Sequence, residues 1–160
     1  MDPVQASHTS IITAQSQLTA GFEPLQVDLL PLPRAGRHYQ VFLVSASGVF
    51  TVNPLAPGQI PAAALSGLYI VNGADPPENL ADATAGFNPQ SRGLRLQADW
   101  SVEPVGAVWV FSLIARQQFV LATGFTIRAM VVPNPGTAQP GPGAGSVIRL
   151  QAQIVDEANR

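Results

Sequence analysis

Short segments with apolar side chains at every second position recur along this chain, separated by segments rich in proline and glycine. A period of two residues is typical of a β-strand with one buried face, and no stretch has a sustained helical period. The pattern predicts about nine strands at roughly ten-residue spacing. They cover residues 25–30, 39–46, 49–53, 68–72, 94–100, 105–115, 119–123, 125–132 and 146–155. In the last and clearest of them, the alternation predicts an inward row of Ile148, Leu150, Ala152 and Ile154.

Turn signals predict how these strands connect. Ser47 and Gly48 indicate a tight turn between residues 39–46 and 49–53. A loop of thirteen residues, Pro133 to Gly145, separates the last two strands. Because a hairpin normally needs only about two to five connecting residues, the loop predicts a contact role beyond joining two paired strands.

Many short strands without a long helix indicate an all-β fold, an antiparallel β-sandwich with about eight to nine strands. Long crossings at residues 54–67 and 73–93 favour Greek-key connections, which need long returns. Eight strands in two packed sheets would form a single jelly roll. We therefore predict one jelly-roll domain over residues 22–160.

Residues 1–21 are mostly polar and are predicted to form an N-terminal arm outside this domain. Two interpretations of the arm remain open. It is either a disordered terminus or a segment that becomes ordered on a neighbouring subunit. The adjacent Ile11 and Ile12 would be its anchors in the second case, with Leu18 as a further apolar contact.

The composition is unusually poor in charge. Of 160 residues, 46% are hydrophobic and 11% are charged, against a usual charged share of about 25%. The net charge is −2, and all eight basic residues are scattered arginines, so we expect no sequence-specific nucleic-acid binding. We find no signal-peptide pattern and no apolar run long enough for a membrane helix. A protein surface so poor in charge favours burial against partner molecules.

Candidate chemistry is sparse. His38 is a weak candidate general base, and no nucleophile motif accompanies it. Asp75, Glu78 and Asp82 lie in one loop and carry the oxygen ligands that calcium prefers, but their spacing does not match an EF-hand loop. The chain has no cysteine. We therefore predict no catalytic residue, no cofactor and no assigned metal site, and we leave an ion at the acidic loop as an open question.

The two tryptophans raise the hypothesis of carbohydrate binding, because exposed aromatic rings can stack on sugars. Trp109 lies within an apolar strand, which predicts a core position. Trp100 alternates with Leu94, Leu96 and Ala98, so we favour a core or rim position for it as well.

Three segments together resemble a known family. They are LYIVNGADP (68–76), GLRLQADW (93–100) and VWVFSLIARQQFVLATGFTIRAMVVPNP (108–135). The first contains an apolar strand ending in Y-I-x-N. The stretch is similar to the single-jelly-roll capsid proteins of tailless, membrane-containing icosahedral bacteriophages. The resemblance covers residues 68–135 and has no diagnostic motif.

The resemblance implies a virion structural protein that self-assembles through sheet edges, loops and the N-terminal arm. Its expected partners are further copies of itself, a second capsid protein and an internal membrane beneath the shell, and its expected location is the virion, assembled in the host cytoplasm. The candidate assembly contacts are Ile11, Ile12, Leu18, Pro135, Pro140, Pro142 and Arg149. Alternatives are a decoration, tail or fibre protein, and a β-sandwich module that binds carbohydrate or another ligand. An enzyme is the least favoured class.

Overall fold

The computed structural model describes residues 9–19, 23–51, 66–77, 93–132 and 142–159. These residues form ten β-strands and no helix. The strands are β1 (Ser10–Gln17), β2 (Leu25–Asp28), β3 (Arg37–Phe50), β4 (Gly67–Asn72), β5 (Gly93–Arg95), β6 (Asp99–Val105), β7 (Val108–Ala115), β8 (Phe119–Leu121), β9 (Phe125–Val131) and β10 (Val147–Ala158). Within this part of the chain, no helix is long and apolar enough to cross a membrane.

The strands form two antiparallel sheets. The large sheet has the order β1-β10-β3-β7-β6, and β8 pairs with the first part of β3. The small sheet has the order β2-β9-β4-β5. The prediction of an all-β protein with two antiparallel sheets, in the manner of a β-sandwich, is confirmed.

The core is the apolar layer to which both sheets contribute. On the large sheet, the inward row of β10 is the predicted one, and all four of its members are buried. The rings of Phe50 and Phe111 stack with their centroids 4.2 Å apart, and Leu113 is buried in the same cluster. On the small sheet, Ile127 and Ala129 of β9 are fully buried. Burial of this kind is the main stabilising contribution to such a domain.

The predicted turn at Ser47 and Gly48 is wrong, because β3 continues through both residues. Gly48 lies opposite Phe111 on β7 and opposite Ile148 on β10. A Cβ atom at Gly48 would lie 1.9 Å from the carbonyl oxygen of Val147 and 3.0 Å from the Phe111 ring. The glycine therefore allows a close approach inside the sheet, which is the alternative reason for glycine within a strand.

The predicted strand over residues 94–100 is also divided. Its first part is β5 of the small sheet and its last part opens β6 of the large sheet, so residues 96–98 cross between the sheets. The apolar run at 105–115 contains the hairpin between β6 and β7, with Gly106 at a positive φ of 62°. Alternation persists across the crossing, which is why the pattern did not reveal the change of sheet.

The last two strands do not form the predicted hairpin. β9 belongs to the small sheet and β10 to the large sheet, so the segment between them connects two layers. Packed sheets lie about 10 Å apart, a span that a two-residue turn cannot cross. The length of the loop therefore has a structural reason. Residues 133–141 lie outside the described part of the chain.

The arm is a further correction. Residues 10–17 form β1, which pairs with β10 over its whole length, from Ser10 opposite Ile154 to Gln17 opposite Val147. Leu18 is buried in the main core, and its backbone bonds with Ser146 and Gly145. This part of the arm is an integral edge strand. Ile11, Thr13, Gln15 and Gln17 are exposed, whereas Ile12 and Ala14 pack against the core.

Candidate assembly surface

The predicted assembly contacts lie in different environments. Ile11 is exposed by 59%, and Arg149 is exposed on the outer side of β10. Leu18 and Pro142 are buried within their own chain, and their role as contacts with a neighbour stays a prediction. The Pro142 carbonyl accepts hydrogen bonds from the hydroxyls of Thr51 and Ser146. Pro135 and Pro140 lie outside the described residues.

One edge of the large sheet is a long strand without charge. β1 has eight residues, SIITAQSQ, and contains neither a charged residue nor a proline. In the described chain, no strand pairs with its outer side. Exposed edges with unpaired backbone groups are ready templates for another strand. The β1 edge therefore has the chemistry of a strand-pairing surface.

The other edge strands among the described residues, β2, β5, β6 and β8, each carry a feature that opposes strand addition. β8 is only three residues long. β6 contains Asp99, Glu103 and Pro104. β2 is four residues long and ends at Asp28, and β5 is three residues long and ends at Arg95. Charges, proline and short length are the usual protections of a sheet edge. Among the described strands, β1 is thus the unprotected edge.

The outer face of the large sheet is polar but nearly neutral. The central row across five strands consists of Gln15, Arg149, Ser47, Ser112 and Ser101. The neighbouring row consists of Thr13, Gln151, Ser45, Ile114 and Asp99. Burying neutral hydroxyl and amide groups costs less than burying charges. This face can therefore be covered by a partner with a modest desolvation cost.

Arg128 ties the small sheet to the segment after β4. Its Nε and one Nη donate to the two carboxylate oxygens of Asp28 at 2.7 and 3.0 Å. Its guanidinium also donates to the carbonyls of Asp75 and Pro76 at 3.0 and 3.1 Å. The side chain is 2% exposed and is one that sequence reasoning missed. The signal was present, because an arginine within the apolar run of β9 needs a buried partner.

A cleft of about 1010 Å³ lies beside the crossing between β5 and β6. Its lining includes Arg95, Asp99, Trp100 and Arg116. Trp100 is half-buried and packs against the core, with its ring centroid 6.3 Å from that of Phe111. The expectation of a core or rim position holds for Trp100, and half-buried Trp109 also packs against the core.

Two tyrosines are buried, and burial raises the pKa of each. Tyr39 donates its hydroxyl to the carbonyls of Pro31 and Leu32, and nearby Asp156 raises its pKa further while Arg34 lowers it. Tyr69 lies with Met130 in a second buried cluster, and Arg95 opposes part of the rise in its pKa. Both side chains are therefore neutral well above pH 7.

His38 contacts no serine in the described residues. Its Nδ1 lies 2.7 Å from Asn159 Oδ1, and its Nε2 lies 3.2 Å from Glu157 Oε2. These partners belong to the end of β10 and the residue beyond it. The arrangement is a polar contact that joins the start of β3 to the end of β10.

Of the three acidic residues in this loop, Asp75 is among the described residues, and Glu78 and Asp82 lie outside them. Asp75 offers its carbonyl to Arg128, and its N–H donates to the Asn72 carbonyl at 3.0 Å. In the described ranges, no group of three or more His, Asp or Glu side chains gathers as metal ligands would.

Comparison with protein-family models, with curated proteins and with solved structures finds no match to this chain.

Proposed function

We propose that this protein is a virion structural protein, a small capsid subunit with a single jelly-roll fold. It assembles with copies of itself and with a second capsid protein into a shell, over an internal membrane. The surfaces that contact other subunits would be its N-terminal strand, the neutral face of its large sheet and its loops. No chemical step is required of the subunit.

One observation carries the proposal, namely the nesting of the strand pairs. Leaving aside β6 and β8, the described residues contain eight strands. The first pairs with the last (β1 with β10), the second with the seventh (β2 with β9), the third with the sixth (β3 with β7) and the fourth with the fifth (β4 with β5). Strands paired in this nested order correspond to one long antiparallel two-stranded ribbon.

Wrapping that ribbon into two layers adds two further pairs, β3 with β10 and β4 with β9. These pairs support the proposal of two four-stranded sheets joined by Greek-key crossings, the jelly-roll arrangement found in viral capsid and lectin domains. The resemblance of residues 68–135 to capsid proteins favours the first of these two uses. So does the nearly neutral outer face, because subunit contacts bury large areas.

The test is to produce the protein alone and to measure its mass by size-exclusion chromatography with light scattering, followed by electron microscopy. We expect symmetric oligomers or closed shells, since closed point-group symmetry turns repeated edge contacts into finite particles. In virions, electron cryomicroscopy should find the subunit tiling the shell. A protein seated on top of another shell would identify a decoration protein, and a protein confined to the tail would identify a tail or fibre component.

A second candidate function is ligand binding by a β-sandwich module, and the cleft beside the β5–β6 crossing favours it. Trp100 and Arg116 could present an aromatic ring and a cation to a sugar or an acidic ligand. Glycan-array binding that is lost on Trp100→Ala would support this function. A monomeric protein that binds glycans would replace the capsid proposal.

A further inference from the structure

The strongest unassigned feature is the outer edge of β1, with which none of the described strands pairs. β1 lies antiparallel to β10 along its full length, so its backbone is already extended and held in register. A strand added to such an edge gains backbone hydrogen bonds without the cost of first ordering the template. The outer edge of β1 is therefore preorganised to pair with a strand of matching length.

The sequence of β1 is compatible with a second copy of itself. When two identical strands pair antiparallel about a two-fold axis normal to the sheet, facing residues are an even number apart and share a face. With Thr13 on the axis, Ile12 faces Ala14, Ile11 faces Gln15, and Ser10 faces Ser16. No charges meet anywhere along the ladder, so the pairing has no like-charge repulsion.

The inner face of β1 selects this register. Ile12 and Ala14 pack against the core but remain half-buried. Placing Thr13 on the axis brings Ile12 of each copy against Ala14 of the other. Shifting the axis to Ala14 would set Ile12 against Ser16 instead. Shifting it to Ile12 would set Ile12 against Ile12 but Ala14 against Ser10, so the Thr13-centred register is the one in which both Ile12 and Ala14 face an apolar side chain.

We propose that β1 pairs with β1 of a second copy, antiparallel and centred on Thr13, to give one continuous sheet across a two-fold dimer. The proposal names the partner of the assembly surface and in that respect rests on the proposed function. The dimer would be the first unit of the shell, and its symmetry is isologous, since the same residues serve both copies.

Single-cysteine variants test the register, because the chain contains no cysteine of its own. Facing Cβ atoms in an antiparallel pair lie about 4.5–5.5 Å apart, close to the span of a disulfide. Under mild oxidation, Thr13→Cys should form a cross-linked dimer in the highest yield, with Ile11→Cys and Gln15→Cys well below it. Ser101→Cys is the control, because it is exposed on β6 at the opposite edge. Equal yields at Thr13 and Ser101 would overturn the proposal.

A charge variant tests the interface without cross-linking. Thr13→Lys brings two ammonium groups together at the axis and should weaken dimerisation about tenfold or more in sedimentation equilibrium. Thr13 is exposed, so the monomer should keep its fold and its thermal unfolding temperature. Ser101→Lys should leave the dimer unchanged. A wild-type protein that stays monomeric at all concentrations tested would contradict the proposal, as would a Thr13→Lys variant that dimerises normally.

The two proposals fail in distinguishable ways. If particles form normally from Thr13→Lys protein, the capsid function stands and the β1 pairing is wrong. If the wild-type dimer forms and depends on Thr13 but neither shells nor incorporation into virions is found, the pairing stands and the capsid function is wrong.

Discussion

Arg128 is the residue whose chemistry departs most from its surroundings. It lies in a strand of buried apolar side chains, and four hydrogen bonds to Asp28, Asp75 and Pro76 satisfy its guanidinium. A buried ion pair contributes little net stability, but removing one partner leaves an uncompensated charge. Its role is therefore positional, since it holds β2 and the start of the loop after β4 against β9.

We predict that Arg128→Ala lowers the free energy of unfolding by about 3 kcal/mol, at the low end for a broken buried pair because Asp28 retains partial contact with solvent. Urea denaturation followed by circular dichroism would measure the change. The matched control is Arg37→Ala, which breaks an exposed ion pair with Asp156 at 2.8 Å and should cost less than about 1 kcal/mol. Equal losses in the two variants would contradict the assignment.

The two tyrosines make a prediction about pH. Burial raises the folded-state pKa of both Tyr39 and Tyr69 above the ordinary value of 10.0. The stability that depends on their neutral forms is fully present below about pH 10 and is lost as the pH rises through the raised values. Tyrosinate absorbance should therefore develop above pH 10 in the folded protein and near pH 10 in urea. Since the chain has no other tyrosine, a normal titration of the folded protein would contradict this.

At the scale of single elements, glycine and edge position matter more than hydrophobic pattern. Gly48 is a residue typical of turns but lies within the fourteen-residue strand β3, two residues before its end. The register of that strand shifts between Val41 and Leu43, where a bulge lets both Val41 and Val44 face the core. Packing partners from β7 and β10, which are distant in sequence, decide both features.

Replacing Gly48 by alanine should destabilise the protein by about 1–3 kcal/mol, the usual cost of overpacking. The added methyl group would collide with the Val147 backbone, which cannot yield without moving β10. Thermal unfolding measures the loss, and Ser47→Ala, on the exposed face of the same strand, is the control. An unchanged unfolding temperature for Gly48→Ala would argue that β3 and β10 are not this close.

Deleting residues 2–19 should destabilise the monomer rather than alter particle yield alone. The deletion removes β1 and exposes the edge of β10, and it loses the burial of Leu18, which alone contributes about 1.5–3 kcal/mol. Hydrogen exchange should find increased exchange along β10. The exposed Ile11→Thr variant should unfold as the wild type does. A truncated protein with unchanged stability would restore the interpretation of these residues as a detachable arm.

At the scale of the whole molecule, the connections that cross between the two sheets determine the order of the strands. Four nested strand pairs join the two ends of the chain and place β1 beside β10 at the rim of the large sheet. Contacts between residues far apart in sequence therefore dominate, and the order of the sheets depends on connections that are long enough to change layer.

Replacing residues 134–144 by a two-residue Asn-Gly turn should prevent folding, because β9 and β10 lie in different sheets. Replacing only residues 134–141 by glycine and serine at constant length should leave cooperative unfolding intact. Circular dichroism and thermal melts separate the two outcomes. A folded protein with the short turn would mean that the two strands can pair directly.

Most strands could be predicted from the sequence, because alternation is a local property that survives wherever one face is buried. The inward row of β10 and the polar outer face of the large sheet follow from it. Ile11 and Ile12 stay predicted assembly contacts, on the argument that apolar residues in a polar segment need a surface to cover them. In the structure Ile12 packs against the core of its own chain and Ile11 is exposed.

Only the tertiary structure decided which strand pairs with which, and that determined the rest. In the structure, residues 10–17 of the predicted arm form β1, residues 94–100 are divided between the two sheets, and β9 and β10 lie in different sheets. Alternation of apolar and polar residues indicates that a strand has a buried face, but it does not identify the strand that covers that face. Among the described strands, β1 lies at the edge of the large sheet because it pairs with β10 on one side alone, and no local pattern contains that fact.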